Sequence, residues 1–172
     1  MNTGKYVFSQ ISFYLPERIF DRCVAHYKGN RYVKHFTCWN QLLSMMFGQL
    51  CGRDSLRDLL VSISPHKAKF YHLGFGKSVT RSNLQLANEQ RDYRIFEEFA
   101  YAMIDRARAC SQSDADFTVE IAGPVYAFDS TLIDLCLSVF WWAEFRTTKA
   151  AVKIHTLIDV RTSIPCFVHI TD

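Results

Sequence analysis

From Pro16 to Cys110 apolar side chains recur at intervals of three and four. Beyond Val125 they recur at intervals of one and two. The first spacing is that of helices and the second that of strands. Ile19, Phe20 and Val24 predict a helix from about Pro16 to Tyr27. A basic, aromatic connector follows, Lys28 to Phe36, and Thr37 is placed to cap the next helix. In that helix Trp39, Leu42, Leu43, Met46, Phe47 and Leu50 trace one broad apolar stripe, which Gly52 closes. Ser55 to Ile63 reads as a short helix stopped by Ser64-Pro65, and His66 to Lys77 as a basic loop in which Gly74 and Gly76 form turns. Ser78 or Thr80 caps a further helix through Arg81, Asn83, Leu84, Leu86, Ala87 and Asn88. Arg91 to Cys110 is the longest helix, with Tyr93, Phe96, Ala100, Met103, Ile104 and Ala107 along one side.

The strand-like segments follow a short polar stretch, Ser111 to Asp116, where a domain boundary is expected. Val125-Tyr126-Ala127-Phe128 is a continuous apolar run that stops at Asp129, the pattern of a strand covered on both faces and ending at solvent. Leu132 to Phe145 is apolar with paired tryptophans, and Arg146 to Lys149 is a polar turn. Ala151 to Ile158 then places Val152, Ile154 and Ile158 on one face and Lys153, His155 and Leu157 on the other. Asp159 to Ser163 makes a tight turn, and Ile164, Cys166, Val168 and Ile170 share a face of the returning strand. Pro165 suits only the start of a strand, where it falls. The expected architecture is α+β: a mostly helical domain over 1–112, then a three-stranded meander within 119–172.

Composition changes this picture little and charge changes it more. Of 172 residues 49% are hydrophobic and 22% charged, which fits globular folding and excludes a disordered chain. No apolar run approaches a bilayer-spanning length, and Met1 to Lys5 lacks a signal-peptide core, so an intracellular protein without membrane contact is expected. Six cysteines without a CxxC read as buried thiols. Cys23, His26, His35 and Cys38 have a spacing that could supply four zinc ligands; packing cysteines beside surface histidines explain the same residues. Residues 1–118 carry 16 Lys+Arg against 11 Asp+Glu (+5), and 119–172 carry 4 against 6 (−2). Within Arg18 to Arg81 the balance is 11 against 3 (+8). A basic front and an acidic back suit a first domain that holds a polyanion and a second that holds divalent cations; solvated charge on an ordinary helical surface explains the first half equally.

The order of motifs narrows this further. Ala127-Phe128-Asp129-Ser130-Thr131, Lys149 to Asp159, Ile164-Pro165 and Ile170-Thr171-Asp172 together resemble the start of the catalytic domain of DDE transposases. The branch they resemble is the insertion-sequence-four group of bacterial mobile elements. Ser55-Leu56-Arg57-Asp58-Leu59, Arg81-Ser82-Asn83-Leu84 and Ala87-Asn88 are similar to that branch's helical amino-terminal domain. The resemblance implies an RNase H-like catalytic fold and Asp129 as the first of three metal-binding carboxylates, with Mg2+ or Mn2+ as cofactor. It also implies cleavage and joining of DNA, element ends and target DNA as partners, a homodimer of the complete enzyme, and a place in the bacterial cytoplasm at the nucleoid. Ser163 stands where many relatives have a turn glycine. Asp134, Asp159 and Asp172 do not match the family's second acid, so the triad is expected to be incomplete and the chain alone inactive.

For DNA contact, the Ser55 to Ile63 helix and the one capped at Ser78 or Thr80 form a helix, a connection and a second helix. Its amino-terminal turn is basic and rich in amides. Lys77 and Arg81 would meet phosphates, and Asn83 and Gln85 would reach base edges. A polar face turned to water explains the same residues. Gly76-Lys77-Ser78 lacks the strand and glycine spacing of a phosphate loop. A DNA-binding remnant without catalysis, still able to occupy element ends, stays open as the alternative.

Overall fold

A computed structural model describes residues 6–53, 55–76, 79–111, 123–135, 144–146 and 149–171. The chain is mixed α+β, and among the described residues six α-helices precede an antiparallel sheet. It divides into two compact units, 1–100 and 101–172, and the sixth helix runs through the division.

In the first unit the helices are α1 (Val7–Phe13), α2 (Glu17–His26), α3 (Cys38–Leu50), α4 (Leu56–Ile63), α5 (Arg81–Gln90) and the start of α6 (Arg94–Ser111). The amino-terminal ends of α3, α4 and α5 are set by hydroxyl caps. Thr37 Oγ1 accepts from the Asn40 N–H at 3.2 Å, Ser55 Oγ from Asp58 at 3.1 Å and Thr80 Oγ1 from Asn83 at 3.2 Å. Gly52 takes a left-handed φ of 60° just past α3, and the Arg53 N–H returns to the Gly48 carbonyl at 2.9 Å. One apolar core runs through Phe36, Leu43, Phe47, Leu59, Ile63, Phe70, Leu73, Phe75, Val79, Leu84 and Ala87. Each large side chain buried there contributes on the order of 2 kcal/mol. Beside it, Phe20 of α2 meets Phe99 edge to face at 5.0 Å and Trp39 at 5.5 Å.

Four helical expectations change. Val7–Phe13 forms α1, a segment to which the sequence pattern assigned no element. Leu50 is exposed, and the buried face of α3 is rotated onto Asn40, Gln41, Ser44 and Gly48 beside Leu43 and Phe47. Those polar groups are satisfied: Ser44 donates to the Asn40 carbonyl at 2.6 Å, and Gln41 Nε2 donates to Asn88 Oδ1 at 2.6 Å. The α-helix ends at Ile63, as Ser64-Pro65 predicts, and Pro65 sits in the first turn of a following 3₁₀ helix where its missing N–H costs nothing. The expected basic loop is therefore two 3₁₀ turns, Ser64–Lys69 and Tyr71–Leu73, which put Phe70 and Leu73 into the core. On α6 the buried residues are Ile95 and Phe99, and Tyr93, before the helix, is exposed.

In the second unit β1 (Tyr126–Leu135), β3 (Lys149–Asp159) and β4 (Ile164–Thr171) form the expected meander with β3 in the middle, joined by a three-residue strand, β2 (Glu144–Arg146). Register places Asp129 opposite Thr156 and His155 opposite His169. A register shift at Leu157/Ile158 puts Phe167 opposite Leu157 and Pro165 opposite Ile158. The shift leaves Cys166 as the extra residue of a bulge, so Ile164 does not share a face with Val168 and Ile170. Tyr101 Oη donates to the Val168 carbonyl at 2.6 Å. The paired tryptophans and the stretch 112–122 lie outside the described residues. No helix among the described residues is long and apolar enough to cross a membrane.

Candidate functional site

Asp129 does not end its strand. β1 continues to Leu135, so the carboxylate is a mid-strand side chain. A short polar run, Asp129-Ser130-Thr131, can stay extended because β3 supplies the ladder partners Thr156, His155 and Ile154. The expectation of a strand covered on both faces is also corrected: among the described residues Phe128 is 65% exposed and Asp129 is exposed. Alternation puts Ala127, Asp129 and Thr131 on one face with Ile154, Thr156 and Ile158. Thr131 Oγ1 donates to Asp129 Oδ2 at 3.0 Å, which leaves the carboxylate other lone pairs for a cation or donor.

A hard divalent cation asks for several oxygen ligands. Asp129 and Thr131 supply one carboxylate and one hydroxyl, which is one donor position and not a complete set. No group of three His, Cys, Asp or Glu residues able to hold a metal occurs among the described residues. Cys23 and Cys38 are buried and His26 and His35 are exposed, the packing arrangement rather than a zinc site. Asp159 Oδ1 is engaged by the Arg161 N–H at 2.9 Å at the start of the turn.

The other candidate residues lie in the first unit. α4 and α5 are separated by the two 3₁₀ turns, a longer connection than a helix-turn-helix reader uses. Arg81, Asn83 and Gln85 are all exposed on α5. At 100° per residue Arg81 and Gln85 share one side, while Asn83 stands on the other flank of the buried Leu84–Ala87 stripe. Lys77 and Ser78 lie outside the described residues.

Sequence reading missed the structural centre of this unit, Arg91. Its guanidinium donates to the Thr37 carbonyl at 3.0 Å, to Gln41 Oε1 at 2.8 Å and to the Phe36 carbonyl, and it stacks over the Phe36 ring at 5.5 Å. Burial lowers its pKa from the ordinary arginine value. An arginine between two helices carries no periodic signal of this role; only the carbonyls it meets reveal it.

Residues 3–76 match the family described as Domain of unknown function (DUF4372). That domain is found in transposase-like proteins. The match covers α1 to α4 and the 3₁₀ turns, and stops short of α5 and of Asp129. No curated protein and no solved structure matches the chain.

Proposed function

We propose that this chain is the amino-terminal part of a DDE transposase of the insertion-sequence-four type, with a helical unit that holds DNA and the opening strands of an RNase H-like catalytic domain. The observation that carries this reading is Asp129 on the first strand of an antiparallel meander, in the order of motifs that family uses. The domain matched over 3–76 supports it, as does the +8 balance between Arg18 and Arg81 (11 basic against 3 acidic residues).

In this reading DNA is the partner, at element ends and target, and the place of action is the bacterial nucleoid. Phosphoryl transfer asks a protein chiefly for positioning and charge neutralisation. Mg2+ or Mn2+ would supply that neutralisation in the complete enzyme, with Asp129 as one of its ligands, and the complete enzyme would work as a homodimer. The helical unit's part is sequence-independent grip from Arg81 and Lys77, with Gln85 and Asn83 toward base edges. A second reading, DNA occupancy without catalysis, is favoured by the exposure of Asp129 where no group of three His, Cys, Asp or Glu able to hold a metal occurs among the described residues.

A mobility-shift titration of the full chain on duplex DNA tests the shared part. Binding that weakens steeply as salt rises is expected, and Arg81→Ala should lower the logarithmic salt slope by about one. Absence of a shift at low salt would contradict both readings.

A further inference from the structure

Resting on that DNA-holding reading, we infer that the connector between α2 and α3 is a second contact surface for a DNA phosphate backbone, built from Lys28, Arg31 and Tyr32. It is separate from α5. From Arg22 to Arg53 the chain holds no acidic residue, while it carries Arg22, Lys28, Arg31, Lys34 and Arg53. Lys28, Asn30 and Arg31 line an open cleft of ≈ 460 Å³ with Val24 and Ala25. No carboxylate among the described residues lines it. The acids on α2 and around the start of α6 have other contacts. Glu98 accepts from Tyr27 and faces His26 Nδ1 at 3.7 Å, and Asp92 pairs with Arg94 at 2.6 Å. Glu17 and Asp21 border the adjoining groove, which shares Asn30 with this cleft and holds Lys34 and His35.

The connector is held rigidly from beneath, unlike a solvated charge run. The Gly29 N–H donates to the Val24 carbonyl at 2.9 Å, and a Cβ at Gly29 would lie 2.4 Å from Ile95 Cδ1. Asn30 Oδ1 accepts from the Cys38 N–H at 2.8 Å, and Asn40 and Arg91 hold the carbonyls of His35, Phe36 and Thr37. Lys28 and Tyr32 take left-handed φ values of 54° and 61°, which bulky side chains adopt only when the surroundings impose them. Tyr32 is 87% exposed, and the Arg31 guanidinium rests over its ring at 4.9 Å with Nη2 donating to the Tyr32 hydroxyl at 3.0 Å. A guanidinium held against a tyrosine ring and an exposed ammonium, on a cleft lined by no acid among the described residues, match the closely spaced charges of a duplex backbone.

The test is fluorescence anisotropy of a labelled mixed-sequence DNA duplex titrated with full-length chain across a salt series. Lys28→Asn/Arg31→Gln is the main variant, since asparagine tolerates the left-handed conformation at position 28. Its logarithmic salt slope should be shallower than wild type by about two, with affinity at physiological salt roughly tenfold lower. Arg31→Lys should keep the slope. Unfolding midpoints and circular dichroism check folding, and Lys28→Asn alone, with a slope change of about one, carries the test if the double variant unfolds. Wild-type binding with an unchanged slope in the variants overturns this inference and leaves the α5 surface standing. A wild-type chain that binds no DNA overturns the DNA-holding reading and this surface with it. Loss of binding to phosphatidylserine vesicles with DNA binding unchanged also overturns it, in favour of a membrane surface.

Discussion

Single residues decide where this chain departs from its pattern. Ser163 holds φ at 55° in the turn between β3 and β4, with its N–H on the Asp159 carbonyl at 2.8 Å. A side chain in that conformation costs about 1 kcal/mol relative to glycine, partly offset by glycine's greater freedom in the unfolded chain. Ser163→Gly should therefore raise stability by roughly 0.5 kcal/mol, read as a higher urea midpoint. Cys38 is fully buried, and burial pushes its thiol above the ordinary value of 9.0, with Arg91 opposing; Cys23 is raised by burial and then by Glu98. A raised folded-state pKa gives stability that is complete below the unfolded value and lost as pH rises through the folded one. The urea midpoint should fall as pH climbs beyond 9.0, the unshifted thiol value, and Cys38→Ala should flatten part of that fall. An equally steep decline in the variant would assign it to other groups.

At the scale of elements, caps and periodicity were legible and the winding of polar-rich segments was not. Thr37 and Thr80 announce their helices because a hydroxyl before an apolar-periodic run has one favourable use. Thr80→Ala should cost about 1 kcal/mol and fray the first turn of α5, where Arg81 and Asn83 stand; amide exchange at Asn83 is the readout. The buried face of α3 was misread because apolarity was counted and Asn40, Gln41 and Ser44 were not. Their burial depends on partners far along the chain, such as Gly76 and Asn88. β4 shows the same limit, since alternation cannot foresee that a bulge at Cys166 moves Ile164 to the other face. Asp129 was legible as the residue to examine, but not its place within the strand. A polar break looks like an end until the partner strand that carries the ladder onward is seen.

For the molecule as a whole, the α-then-β order was plain from the change of spacing near Val125, because helix and strand periods differ strongly. The site was legible only as one residue: the sequence marks Asp129, and the described structure gives it a threonine neighbour but no cage. Electrostatics divides the chain in the same sense, with a balance of +5 over residues 1–118 (16 basic, 11 acidic) and −2 over 119–172 (4 basic, 6 acidic). A lone carboxylate leaves a magnesium ion with most of its water and a scissile phosphate without a clamp. The most direct measurement is a nicking assay of the full chain on supercoiled DNA in Mg2+ and in Mn2+, beside Asp129→Ala. The expected result is no cleavage above the variant in either metal. Robust wild-type cleavage that disappears in Asp129→Ala would contradict it, and would mean that this chain builds a complete metal site around that residue.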